Sequence, residues 1–299
     1  MKRMLSVLLL VLATVSVIFA QSEPVALTEF KGELKDFLGE VNSALPDSAV
    51  VGGTWSDAYI GQILGIPPHF GVGVAGGISR FPVSALKNAI ALSGSDLPVD
   101  TLVLPNFAIE ARAGGFLLPF DVGVRLGVLP SSVLESLGVK DISIQYIDFG
   151  ADIRYALLKD GLLPGISLGI GYYHTSGKID YLFDAQQLST VQFPAGYDST
   201  ENLGITFSTN VIEAKAQISK NLLIATPYAG VAAYTSISES SYELASVKDT
   251  LTTKDEPVYG ARIYGGTSFN LLIIKTDISL MYNVLTENWG GNLGIRVQL

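Results

Sequence analysis

The chain closes on Gly290–Leu299, GGNLGIRVQL, and the reading of this stretch decides the fold. Along an extended chain alternate side chains point to opposite faces. Leu293, Ile295, Val297 and Leu299 therefore share one face, and Asn292, Gly294, Arg296 and Gln298 the other. One such ribbon fits a soluble sheet as well as a membrane wall. Recurrence decides between them.

Upstream the same alternation returns, with charges on one face each time. Ile274, Thr276, Ile278, Leu280 and Tyr282 oppose Lys275, Asp277, Ser279 and Asn283. Tyr259, Ala261 and Ile263 oppose Arg262 and Tyr264, and Ile212, Ala214, Ala216 and Ile218 oppose Glu213, Lys215 and Gln217. Ile147, Phe149, Ala151, Ile153 and Tyr155 oppose Asp148, Asp152 and Arg154. Phe120, Val122, Val124 and Leu126 oppose Asp121, Gly123 and Arg125, while Phe107, Ile109 and Ala111 oppose Glu110 and Arg112. Further strands are expected at Leu163–Thr175, Leu222–Ser236 and from Phe70. Lys159-Asp160-Gly161, Lys220-Asn221 and Asn270 read as tight turns. Between these short turns lie long connections at Pro130–Lys140, Asp180–Asn202 and Glu239–Asp255. Short and long links alternate in transmembrane barrels.

These patterns predict an all-β fold: a closed antiparallel transmembrane β-barrel over residues 48–299, of about 10 strands, with 12 as the second count. A sandwich would bury the apolar face in its own core. Strands longer than usual, an export signal, and Tyr155, Tyr172, Tyr259, Tyr282 and Trp289 near strand ends point to lipid instead. Ala49–Gln62 is a weak extra strand, and Pro82–Ser93 fits a short helix inside a long loop. Residues 21–47 hold a short N-terminal amphipathic helix. Phe30, Leu34, Phe37, Leu38, Val41 and Leu45 fall on one side, with Glu33, Lys35, Asp36 and Glu40 on the other. Two placements stay open for it, a rim on the periplasmic side or a plug in the lumen.

Composition agrees. Only 16% of residues are charged and the mean hydropathy is +0.39, whereas an aqueous domain carries about a quarter charged residues. Met1–Ala20 has a basic start and an apolar run, the layout of a signal peptide cleaved near Ala20. Beyond it no run approaches the ~18 apolar residues of a spanning helix. With 19 basic and 28 acidic residues the formal charge is −9, which argues against nucleic acid. Cysteine is absent, so disulfides and a lipoprotein anchor are excluded.

Turning the polar face inward places Glu110, Arg112, Asp121, Arg125, Asp148, Asp152, Arg154, Glu213, Lys215, Arg262, Lys275, Asp277 and Arg296 in the lumen. The signs nearly balance, which suits interlocking pairs over a funnel for one ion class. The pairs either stabilise a filled barrel or line a transport path. Gly71, Gly73 and Gly76 match a dinucleotide-binding spacing, but they alternate within a strand and do not form a strand-to-helix turn. His69 and His174 are the only histidines; Ser167 and Ser176 near His174 show no defined base–nucleophile geometry. The expectation is no enzyme, no catalytic or metal site and no cofactor.

Trp55-Ser56-Asp57-Ala58-Tyr59-Ile60-Gly61-Gln62, followed by Pro67-Pro68-His69-Phe70-Gly71-Val72-Gly73, resembles early stretches of FadL-like barrels, the long-chain fatty acid transporter type. The order of signal, helical segment and barrel is similar too. Members of that family have more strands in a longer chain and end on an aromatic residue, where Leu299 stands here. No ligand-binding residue carries over. The resemblance implies a bacterial outer-membrane pore or transporter for small or hydrophobic molecules. The alternative is a structural or adhesive surface barrel with a filled, non-conducting lumen. The expected partners are outer-membrane lipid, the barrel-assembly machinery through the last strand, and a small hydrophobic ligand.

Overall fold

A computed structural model of the chain describes residues 25–51, 55–60, 69–92, 100–115, 119–129, 142–184, 200–244, 249–254 and 257–299. The signal segment expected at Met1–Ala20, and its expected cleavage point, lie outside them. Two helices, α1 (Val25–Ser48) and α2 (Ser84–Ala91), accompany strands β1 (His69–Pro82), β2 (Thr101–Gly114), β3 (Phe120–Leu129), β4 (Ile142–Leu158), β5 (Gly165–Asp184) and β6 (Thr200–Ser219). The second half contributes β7 (Ala225–Leu244), β8 (Asp249–Lys254), β9 (Val258–Leu271), β10 (Ile274–Asn283) and β11 (Trp289–Gln298). Neighbours run antiparallel from β1 to β7, then through β9, β10 and β11, and β11 closes on β1 with Val72 opposite Val297. Among the described residues ten strands complete the ring, and β8 pairs only with the far end of β7.

Closure explains how so apolar an exterior is tolerated. Ile109, Val124, Ile170, Ile278 and Ile295 point outward and lie roughly half exposed. An aqueous monomer rarely exposes apolar surface on this scale. A ring with no free edge pairs its backbone groups internally, as hydrocarbon demands. No helix among the described residues is long and apolar enough to cross a membrane. Of the aromatic residues singled out in the sequence, Tyr259, Tyr282 and Trp289 face outward near the end of the barrel that carries the long connections, and Tyr172 faces outward in the middle of β5. Tyr155 faces outward at the opposite, carboxyl-terminal end, its ring 4.9 Å from that of Phe120.

Three sequence-based expectations change. The stretch 49–62 contributes no strand: its described residues, 49–51 and 55–60, run inside the barrel. Within the polar stretches 180–202 and 239–255 the described residues are strand, since β5, β6 and β7 each extend to 20 residues and β8 adds a hairpin arm. The backbone ladder continues there because inward residues stay apolar, with Ile179, Leu203, Ile205, Phe207 and Tyr242 all buried. Finally, α1 does not lie on the carboxyl-terminal side. It sits at the end with the long connections, where Phe30, Leu34, Phe37, Leu38, Val41 and Leu45 pack on those inward residues and on Phe81, Leu104, Leu129 and Tyr146. The start of β1 lies beside the carboxyl terminus, with Phe70 N donating to Leu299 O at 3.3 Å. Residues 49–68 separate the helix from β1 along the chain.

The short helix expected within Pro82–Ser93 is α2. Its first turn is capped from α1: the Glu40 carboxylate accepts from Ala85 N at 3.2 Å with each oxygen, a favourable place for negative charge. Burial raises the Glu40 carboxyl above its ordinary 4.5 despite that backbone donor. Together α1 and α2 make an apolar cap over one mouth.

Candidate functional site

Below this cap the barrel interior is polar, and its chemistry follows from strand register. On β3 and β4 Asp121 stands opposite Arg154, and on β2 and β3 Glu110 stands opposite Arg125. Arg112 stands opposite Gly123, which itself stands opposite Asp152. A Cβ on Gly123 would lie 2.4 Å from Arg112 Nη2 and 2.6 Å from Asp152 Oδ1. Glycine therefore opens the window through which the guanidinium reaches across a whole strand.

All thirteen polar residues named from the sequence point into this interior. Arg112 donates to Asp121 at 2.5 Å and to Asp152 at 2.6 Å. Arg154 grips Asp121 with two nitrogens, at 2.8 and 2.9 Å, and Lys215 Nζ lies 3.3 Å from Asp152. Arg125 pairs with Asp148 at 3.2 Å, Arg262 with Glu213, and Arg296 with Asp277. Glu110 stands apart from the carboxylate–guanidinium pairs and accepts from the indole of Trp55 at 2.8 Å.

The residues that lock this network come from the segment running through it. Of the thirteen, six are acidic and seven basic, and Glu110 pairs with no guanidinium, so the wall needs a further carboxylate partner. Asp57 supplies it, with Lys275 Nζ at 2.8 Å and Arg296 Nη2 at 3.1 Å. The Trp55 ring lies between two guanidinium groups, 4.7 Å from Arg296 and 5.6 Å from Arg112, each a cation–π contact. Gln217 donates to the carbonyls of Trp55 at 2.7 Å and Ser56 at 3.0 Å. Arg154 donates to Asp57 O at 2.7 Å, Ala58 N to Ser219 Oγ at 2.8 Å, and Ile60 N to Asp121 Oδ2 at 3.0 Å.

Asp47 anchors the upper end of the same segment. It accepts from Asn283 at 2.9 Å, Thr286 at 3.0 Å, Asn288 at 3.2 Å and Tyr234 at 3.3 Å. Ser48 and Ser79 share a hydrogen bond of 2.8 Å, and Asn106 links Ser48 O to Asp148. Sequence reasoning missed Asp57 because it sits on aperiodic chain, where no face can be assigned, and Asp47 because it follows Pro46 in the last turn of α1, past the end of the apolar periodicity at Leu45. The surplus cation on the strands was the available signal. The glycines of the dinucleotide-like spacing lie within β1. A Cβ on Gly71 would meet the Trp55 ring at 2.8 Å, so that position is small because the plug lies against it.

The histidines fall apart from one another. His69 is buried at the carboxyl-terminal end of the barrel, beside Gly115. His174 faces outward, its Nδ1 3.0 Å from Asn210 Oδ1, whereas Ser167 is buried on the inner face.

No protein-family model matches the chain, and no curated protein is similar to it in sequence. Solved structures do match in architecture. OmpT, the outer membrane protease of Escherichia coli, matches at a TM-score of 0.42 and 10% identity, over 81% of this chain and 100% of that one. A major outer membrane protein from Thermus thermophilus matches at 0.36 and 9% identity, covering 78% and 100%. The toluene transporter TodX of Pseudomonas putida matches at 0.33 and 11% identity, covering 75% and 66%. The likeness is one of fold, to barrels of the outer-membrane type. That a protease is among them corrects one expectation from the sequence: the exclusion of enzymes, drawn from the scarcity of histidine, does not stand, because such barrels include a catalyst.

Proposed function

We propose that the chain is a bacterial outer-membrane barrel held closed at rest by its own amino-terminal segment, a structural or surface-presenting barrel and not an open pore. One observation carries the reading. Asp57, inside the lumen, joins Lys275 and Arg296 at 2.8 and 3.1 Å, so the plug belongs to the wall's own charge network. Ten strands leave little more than side-chain space, and residues 47–51 and 55–60 occupy it. In this reading Leu293, Ile295 and Val297 face outer-membrane lipid, and β11 is the strand offered to the barrel-assembly machinery. The long connections then face outward, and with them the cap made by α1 and α2.

The test is planar-bilayer conductance of the refolded mature chain. A closed baseline is expected. Steady ohmic conductance from the unaltered protein would defeat the proposal.

A second reading, passage of a small hydrophobic molecule, has one observation in its favour. The stretch resembling FadL-like barrels, Trp55–Gln62, includes the plug residues Trp55 and Asp57. It requires that a bound ligand displace them. Protection of Trp55 from an aqueous quencher that is lost when a hydrophobic ligand is added would favour it, and unchanged quenching would not.

A further inference from the structure

The turns at the carboxyl-terminal rim break the usual rule for turn composition. Tight turns favour glycine, asparagine and other small polar residues, yet Leu162 is 99% exposed, Leu223 87% and Leu272 90%. They sit in three separate connections, β4–β5, β6–β7 and β9–β10. The pair recurs in sequence at Leu117-Leu118, outside the described residues. Leu223 and Leu272 even adopt left-handed backbone, with φ of 70° and 57°. Glycine or asparagine would hold that conformation with less strain.

These tips are held in place. The Asp160 carboxylate accepts from Lys220 Nζ at 3.0 Å and from Asn221 N, tying the β4–β5 turn to the β6–β7 turn. Asn270 donates from its side chain to Leu223 O at 3.0 Å and from its backbone to Ile224 O at 2.9 Å, tying in the β9–β10 turn. Lys220 and Asp160 neutralise one another, so this sector of the rim carries leucines without a net charge from that pair.

Barrel height says what surrounds them. The outward apolar runs from Ile274 to Tyr282, Trp289 to Val297 and Phe120 to Val128 each cover eight residue steps. At a rise of about 3.3 Å and a tilt of about 40° that is roughly 20 Å, against an apolar band of about 25 Å in such barrels. On β4 to β7 the far end does not supply the difference, because the outward face turns polar there at Gln145, Lys178, Thr206 and Glu239. The leucine turns can, since they continue the apolar exterior downward by about one turn's height. The three tips belong to a run of six strands from β4 to β10 in a ring of ten, a breadth that suits a surrounding solvent better than a partner docked on one side.

We propose that the leucine-tipped turns insert into the membrane leaflet next to the carboxyl-terminal end and complete the apolar thickness of the barrel. This rests on the membrane-barrel reading above. Because the chain has no cysteine, single Leu162→Cys, Leu223→Cys and Leu272→Cys variants of the mature protein can each carry one polarity-sensitive fluorophore, with Ile278→Cys as the mid-wall reference. In phosphatidylethanolamine–phosphatidylcholine vesicles with iodide on both sides, all four labels should emit blue-shifted. Lipid-borne nitroxide should quench them several-fold more than iodide does. Turn labels open to iodide while Ile278→Cys stays shielded would overturn the proposal and leave the barrel reading intact; that result would point to an aqueous rim or a protein partner. All four labels open to iodide would overturn both.

Discussion

Lys275 on β10 stands directly opposite Arg296 on β11, two cations paired across the ladder. Like charges in that position repel, and the barrel keeps them because the Asp57 carboxylate lies 2.8 Å from one and 3.1 Å from the other. The plug is therefore part of what makes this wall stable, as well as something enclosed by it. Arg296 is further committed to Asp277 and to Ser56 Oγ at 2.6 Å, which leaves Lys275 most dependent on Asp57.

Asp57→Asn should therefore destabilise the barrel by about 3 kcal/mol, the scale for removing one partner of a buried pair. Urea unfolding in detergent micelles, followed by heat-modifiable migration, would read it. Adding Lys275→Met removes the stranded cation and should restore part of the loss, a coupling that a double-mutant cycle isolates. Strictly additive effects would mean that Asp57 and Lys275 do not act as a pair.

The fit of Trp55 against β1 gives a steric prediction. A Cβ at Gly71 would lie 2.8 Å from the indole ring and 3.1 Å from Val297 O, neither free to yield. Gly71→Ala should push the ring from its place and cost about 1–3 kcal/mol through overpacking. At Gly161 an added Cβ meets nothing within 4 Å, so Gly161→Ala should leave stability unchanged. In a Trp289→Phe background, Trp55 is the only tryptophan. Its emission should shift to the red in Gly71→Ala and stay fixed in Gly161→Ala.

Much of the wall was legible in the sequence, because a two-residue period translates directly into inside and outside. From Glu110 to Arg296 the polar face could be assigned without knowing which strands were neighbours. What could not be read was anything set by register or by aperiodic chain. That Arg112 reaches Asp152 over Gly123 depends on which residues stand opposite one another. That Asp57 completes the network depends on a segment with no period at all, and that Asp47 does depends on where the last turn of α1 enters the barrel. The helical period of α1 exposed its apolar face but not its neighbours, and Phe81, Leu104 and Leu129 lie far along the chain. Amphipathicity shows that a face will be buried without showing where.

Glu40 gives the cap a pH dependence of definite sign. Burial raises its carboxyl above the ordinary 4.5, outweighing the hydrogen bond from Ala85 N. A group whose pKa is higher folded than unfolded takes up its proton more readily in the folded state. Its stabilising contribution is thus fully present below about pH 4.5 and fades as pH rises through the raised value. Protease cleavage within α1 should be slower at pH 4.5 than at pH 7. Glu40→Gln, neutral at both, should narrow that difference, and an unchanged difference would remove Glu40 as its source.

Conductance after deletion separates the two layers of the plug. The cap formed by α1 is apolar and packs on Phe81, Leu104, Leu129 and Tyr146, whereas the polar layer is filled by Asp47, Trp55 and Asp57. Removing residues 25–45 takes away the cap but leaves every one of those three side chains. Ion flow should then stay near the closed baseline, since the polar layer of the lumen is still occupied. Removing residues 25–60 strips Asp57 from Lys275 and Arg296 and Asp47 from Asn283, and leaves a water-accessible lumen lined by paired charges. Stepwise single-channel conductance is expected in that variant, at the expense of stability in the same direction as Asp57→Asn. Equal conductance in the two deletions would place the seal in α1 and remove residues 47–60 from that role.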